Sequence, residues 1–239
     1  MGKINTYNHN NVLDCRIRRT KRKKTMALRV ESDGQVTLMI PRFLNLEAVK
    51  KLVECKNEWI RNQQEIRRQM RIRYPKKEFI SGEAFTIFGR TYRLLIKNKK
   101  GFEGCFINKN RLEVGSYQAS KEKIKGMLEE LLRAQTIKQA NEGISRYAVQ
   151  LGVKVRKVFA ANQNKRWGSC SKQGNIRINW KLAMTPLPVF NYVVAHEVCH
   201  LKYHDHSQQF WQALKSIAPN YEKSRSWLKE NMGLMMSFG

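Results

Sequence analysis

The sequence predicts an α+β protein in two parts: a β-rich N-terminal region with one helix over residues 1–118, then a mainly helical domain over 119–239. Three observations predict it. Up to Gly115, short apolar–polar alternations are separated by Gly, Pro, Asn and Asp, the period-two pattern of strands. From Ser120 the apolar residues change to helical spacing over many turns. Towards the C-terminus four of the five histidines fall within eleven residues, on a segment that again reads as helix.

Taken in order, Thr25 to Val30 and Gln35 to Ile40 flank Asp33-Gly34, a strong hairpin signal, and Pro41 ends the pair. Asn45 reads as the N-cap of one helix that carries Leu46, Val49, Leu52, Val53 and Ile60 near helical spacing and runs towards Met70. Alternating segments follow at Ala84–Phe88, Thr91–Ile96, Cys105–Ile107 and Arg111–Val114. The chain divides near Ser116–Ser120. Ser120 then caps a long helix whose Ile124, Met127, Leu128, Leu131, Ile137, Ile144 and Tyr147 share one apolar stripe. Lys154–Ala160 reads as a strand. Ser171-Lys172-Gln173-Gly174 reads as the turn of a hairpin leading into strand Asn175–Asn179. Thr185 with Pro186 opens a further helix, its prolines confined to the first turn.

Composition narrows the class. No apolar run reaches membrane-spanning length, and the N-terminus is polar and then basic with no secretory apolar core. Five cysteines (Cys15, Cys55, Cys105, Cys170, Cys199) are odd in number and scattered, the pattern of reduced thiols in a cytoplasmic protein. Lys and Arg number 46 against 19 Asp and Glu, a net charge of +27, densest from Arg16 to Lys24 and from Arg67 to Lys77. Such a balance attracts polyanions and permits nucleic-acid contact. No nucleic-acid-binding motif accompanies it, and a solvated basic surface is the competing reading.

The chemistry concentrates at His196-Glu197-Val198-Cys199-His200, an H-E-x-x-H sequence. Positions four apart on a helix lie one above the other, so His196 and His200 can share one metal ion. Glu197 can then reach a water on that ion and act as general base. Glu197 is the only carboxylate between Gly143 and His204, in a strongly basic stretch. Val193, Val194, Val198 and Leu201 make this helix apolar enough to be buried. Unpartnered His and Glu there would carry a large penalty, which a metal removes.

A catalytic zinc takes three protein ligands and keeps one position open. His204 on a continued helix would lie about 12 Å along the axis from His196, and His206 would point about 600° around from His200. The chain must therefore turn after His200. Asp205 suits that turn through its tolerance of the left-handed conformation, and Ser207 reads as the N-cap of a new helix, Gln208 to about Ile217, before Pro219. His206 at the junction is preferred to His204 as third ligand. Cys199 reads as packed, and Cys170 as a small buried thiol with a fourth-ligand or redox role as the alternative.

The run Arg166-Trp167-Gly168-Ser169-Cys170-Ser171, then Gly174-Asn175-Ile176-Arg177-Ile178-Asn179-Trp180, then Tyr192-Val193-Val194-Ala195-His196-Glu197, His206-Ser207 and Phe210-Trp211, resembles the YgjP-like metallopeptidases, or predicted metal-dependent hydrolases. These are relatives of the SprT-like and gluzincin-type zinc peptidases. The resemblance extends to Arg22-Lys23-Lys24-Thr25, Trp59-Ile60, Phe79-Ile80-Ser81-Gly82-Glu83 and Phe88-Gly89-Arg90. It implies a zincin-like fold, metal ligands His196, His200 and His206, and Glu197 as general base. It supplies no substrate. The H-E-x-x-H-x5-H spacing also equals that of metzincins, with Tyr203 where those enzymes carry a turn glycine.

The expectation is a cytoplasmic zinc metallopeptidase with one Zn2+ per chain. A peptide or protein substrate would add as a strand along a sheet edge formed by Asn175, Ile176, Arg177, Ile178 and Asn179. Trp167 is expected to wall the cleft or to belong to the core. Tyr203 and His204 are the nearest candidates for stabilising an oxyanion. The alternative is a basic nucleic-acid-binding protein with a structural or degenerate metal site, or a protease recruited to nucleic-acid-bound targets. Glu197 argues against a purely structural site, which needs no acid there.

Overall fold

A computed structural model describes residues 5–9, 12–21, 25–31, 33–44, 46–98, 101, 103–117, 120–163, 166–231 and 233–238. Arg22, Lys23 and Lys24, the Asn45 cap and the 118/119 boundary lie outside the described residues. The chain divides into two units, Met1–Lys76 and Lys77–Phe238.

In the first unit, β1 (Asn5–His9), β2 (Val12–Thr20), β3 (Ala27–Val30) and β4 (Val36–Pro41) form one sheet in the order β1-β2-β4-β3. β3 and β4 are the hairpin expected around Asp33-Gly34. Gly34 takes φ 87°, and the Asp33 carboxylate accepts the Gln35 N–H at 2.9 Å. β2 was not anticipated: its arginines alternate with Cys15 and Ile17, so a paired strand reads as a basic run. The single helix expected here is two, α1 (Leu46–Cys55) and α2 (Asn57–Arg73), separated at Lys56 with φ −103° and ψ 9°. Val49 and Val53 of α1 and Ile60 of α2 still enter one core with Val36, Leu38 and Ile40. That shared direction hides the break from a reading of periodicity.

The second unit begins with a sheet of β5 (Ala84–Ile87), β6 (Arg90–Lys97), β7 (Gly104–Asn108) and β8 (Arg111–Gly115) in the order β5-β6-β8-β7. Helix α3 (Lys121–Leu151) starts where expected: the Ser120 hydroxyl accepts the Lys123 N–H at 3.2 Å, and Gly152 closes the far end with φ 65°. Its first half packs Ile124, Leu128 and Leu132 against Phe85, Leu94, Leu112 and Val114. The strands before residue 118 and the helix after it therefore share a core inside one unit.

The second half of α3 departs from the expected stripe. Ile137 is exposed, and the buried line runs through Leu132, Thr136, Ala140, Gly143 and Ile144. The cause is α4 (Leu187–Cys199), which lies close against α3. A β-carbon on Gly143 would stand 3.2 Å from Val194 Cγ1. Small residues make this seam, and a search for large apolar ones passes over it.

A second sheet has three strands, β9 (Lys157–Ala161), β10 (Gly168–Cys170) and β11 (Asn175–Asn179), in the order β10-β11-β9. β11 is antiparallel to β10 through a turn with Gly174 at φ 79°, and parallel to β9. Asn175–Asn179, expected as a sheet edge, is thus the middle strand. A 3₁₀ turn (Trp180–Met184) leads into α4, then α5 (Gln208–Ile217), α6 (Tyr221–Glu230) and the short α7 (Leu234–Ser237). No described helix is long and apolar enough to cross a membrane.

Candidate metal centre

Helix α4 is apolar nearly all round. Val189, Phe190, Tyr192, Val193, Val194, Ala195, Val198 and Cys199 are all buried, so it runs through the core rather than over it. Its last turn therefore carries His196 and Glu197 into a setting where polar groups need partners. Glu197 is 5% exposed.

The helix stops at His200, six residues short of His206. His200 is its C-cap, and the N–H groups of Leu201, Lys202 and Tyr203 turn back onto the carbonyls of Val198 and Cys199 at 2.9–3.1 Å. Asp205 does not adopt the left-handed conformation expected of it. No described residue from His200 to Ser207 has positive φ. Instead its carboxylate accepts the Ser207 N–H at 3.2 Å ahead of α5, with Ser207 at the N-cap position.

This turn brings His206 back. Its Nε2 lies 3.2 Å from His196 Nε2, and His200 Nε2 lies 3.2 Å from the same atom. The three donor atoms lie within 4.8 Å of one another. Tetrahedral coordination at ordinary Zn–N lengths spaces its donors by roughly 3.3–3.4 Å, so the triad fits such an ion. The polar contacts make the same point. His200 Nδ1 sits 3.0 Å from the Tyr203 carbonyl, which places its proton there and the lone pair on Nε2. His196 can offer one proton to one neighbour, not to both, while its own Nδ1 is buried without a partner. A cation at the centre takes the Nε2 lone pairs that hydrogen bonds among the three rings cannot all satisfy, and leaves His196 Nδ1 as it is. His204 is exposed and outside the cluster.

Aromatic rings support the triad. Phe210 of α5, fully buried, lies 4.9, 4.7 and 4.9 Å from the ring centres of His196, His200 and His206. Trp211 stacks on His206 at 5.6 Å. Burial lowers His196 to about 3, with the neighbouring His200 and His206 adding to the effect, and burial also lowers His200. Neutral imidazoles are the form that binds metal. Burial raises Glu197 to about 8, against the pull of Arg166.

Glu197 meets β10. A β-carbon on Gly168 would stand 2.6 Å from Glu197 Oε1. No motif spacing marks Gly168; a glycine inside a strand is the signal for such a close approach. Nearby, the Asn179 side chain donates to the carbonyls of Gln163 and Arg166 at 2.6 and 3.0 Å and accepts from Lys181 N–H at 3.2 Å. It fixes the segment leading to Trp167, which packs against the core as a half-buried ring. Ile176 and Ile178 are fully buried and Arg177 lies over Phe159, so β11 turns its side chains to packing. Cys55, Cys105, Cys170 and Cys199 are free thiols, with Cys199 in the core and Cys170 outside the donor cluster.

A model of the YgjP-like, metallopeptidase domain matches residues 24–231. None of the curated proteins compared with the chain matches it. That family is one of metal-dependent peptidases, which implies a metal cofactor, and the three converging histidines are a possible place for it. The match takes in all but the two ends of the chain, and the protein belongs to the YgjP-like metallopeptidase family.

Proposed function

We propose that the protein is a zinc peptidase with a zincin-like catalytic domain, in which Glu197 serves as general base. The observation that carries this reading is one arrangement: three imidazole nitrogens converging at 3.2 Å contacts beside a carboxyl that is 5% exposed. His196, His200 and His206 would hold the metal, and the described residues bring it no fourth donor, as an open catalytic site requires. Bound zinc supplies Lewis-acid charge and acidifies water.

The remaining steps belong to the chain. Glu197 takes a proton from the attacking water and delivers it to the leaving amine nitrogen as the C–N bond breaks. Gly168 and α4 confine the carboxylate between them. An extended substrate fits the free edge of β10, next to Glu197, better than the paired strand β11.

Glu197→Gln tests the reading, because it keeps the shape and removes the base. Zinc should stay near one equivalent while hydrolysis of unstructured polypeptides falls by about 10²-fold or more. Full activity in this variant would exclude Glu197 as the base.

A further inference from the structure

At the rim of the same site, α6 contributes a cation with no assigned role. The Arg225 guanidinium carbon lies 5.1 Å from the centre of the Trp211 ring. Trp211 stacks on the ligand His206 at 5.6 Å and 27°, and on Tyr221 at 5.6 Å and 25°. Tyr221 stacks in turn on Tyr192, whose ring meets His196 at 6.0 Å. A continuous aromatic path thus joins this arginine to two of the three ligands. Arg225 is exposed and forms no ion pair among the described residues.

The nearest carboxylate along α6, Glu222, is hydrogen-bonded by Tyr221 and forms no ion pair with Arg225. Glu197 is the only carboxylate from Gly143 to His204, and the next one, Asp205, is engaged by the Ser207 N–H. A guanidinium over an aromatic ring can keep its N–H edge free, which suits it to grip a carboxylate. Stacking alone is a common surface contact worth roughly 0.5–1 kcal/mol. Here the supporting ring is the one that also lies against a metal ligand.

We infer that the preferred substrates carry a carboxylate close to the scissile bond, and that Arg225 on its Trp211 platform receives it. The inference rests on the peptidase reading for the bond that is cut, and on Arg225 alone for the group that is bound.

Two unstructured peptides, identical except for Asp or Lys on both sides of a central alanine, separate these claims. Binding to zinc-loaded Glu197→Gln is measured by calorimetry, and cleavage by wild type is measured in parallel. The Asp peptide should bind about tenfold tighter or better. Arg225→Ala should abolish that preference, Arg225→Glu should reverse it, and Arg225→Lys should keep part of it, all with unchanged zinc content. Equal affinities, a preference for Lys, a preference indifferent to Arg225→Glu, or no binding of either peptide at millimolar concentration would overturn the inference. An Arg225-dependent preference without cleavage of either peptide supports the carboxylate subsite and defeats the peptidase reading. Equal cleavage of both with equal binding does the reverse.

Discussion

The backbone of Gly168 and the carboxylate of Glu197 are in direct contact. A β-carbon on the glycine would stand 2.6 Å from Oε1 and 2.8 and 2.9 Å from Cγ and Cδ. No side chain can be added there without moving the acid. Gly168→Ala should therefore lower kcat by roughly 10- to 100-fold, the scale of an ångström-sized misplacement. KM and zinc content should change little, since the triad is not touched. Steady-state kinetics with metal analysis checks this; undiminished kcat would show that Glu197 does not depend on this wall.

The third ligand has a direct test. His206 Nε2 meets His196 Nε2 at 3.2 Å, whereas His204 is outside the donor cluster. His206→Ala should lose most of the bound zinc after dialysis, and His204→Ala should keep close to one equivalent. The opposite result would reassign the ligand.

For the metal-free protein the two buried groups act on stability in opposite directions. Glu197, raised from 4.5 to about 8, keeps a proton in the folded chain that the unfolded chain releases, so stability falls as pH rises through that window. His196, lowered from 6.5 to about 3, is neutral in the folded chain where the unfolded chain would be charged, so stability falls as pH drops below 6.5. Between pH 6.5 and 8 only the Glu197 effect remains. With chelator present, the urea midpoint of wild type should decline across that range relative to Glu197→Gln. Parallel curves for the two proteins would contradict the raised Glu197.

The charge yields a separate expectation. If the net +27 recruits nucleic acid, oligonucleotide binding should weaken with salt at a log–log slope near −0.7 to −0.9 per phosphate contact. Neutralising Arg22, Lys23 and Lys24 together should flatten that slope and leave zinc content unchanged. Binding undetectable at moderate salt would reduce the charge to a matter of solubility.

What the sequence conveyed about the site follows the reach of each interaction. His196 and His200 are placed by helical period alone. The return of His206 follows from the impossibility of spanning a straight helix, and the α5 boundaries follow from Ser207 and Pro219. Strand order is set by pairing between distant segments, so nothing local told that β11 has β9 on one side and β10 on the other. The contacts of Gly168 with Glu197, Gly143 with Val194 and Arg225 with Trp211 have the same non-local origin. The break at Lys56 escaped for a different reason: Val53 and Ile60 face one core whether or not the helix is continuous.

Phe210 touches all three histidine rings and is itself fully buried. Seating that ring is part of closing the hydrophobic interior, and it is also what carries α5, with His206 just before it, up against α4. The packing that closes this interior is thus the same packing that gathers the three histidine nitrogens. A C-terminal region opened at α5 would keep His196 and His200 together at the end of α4 and part His206 from them.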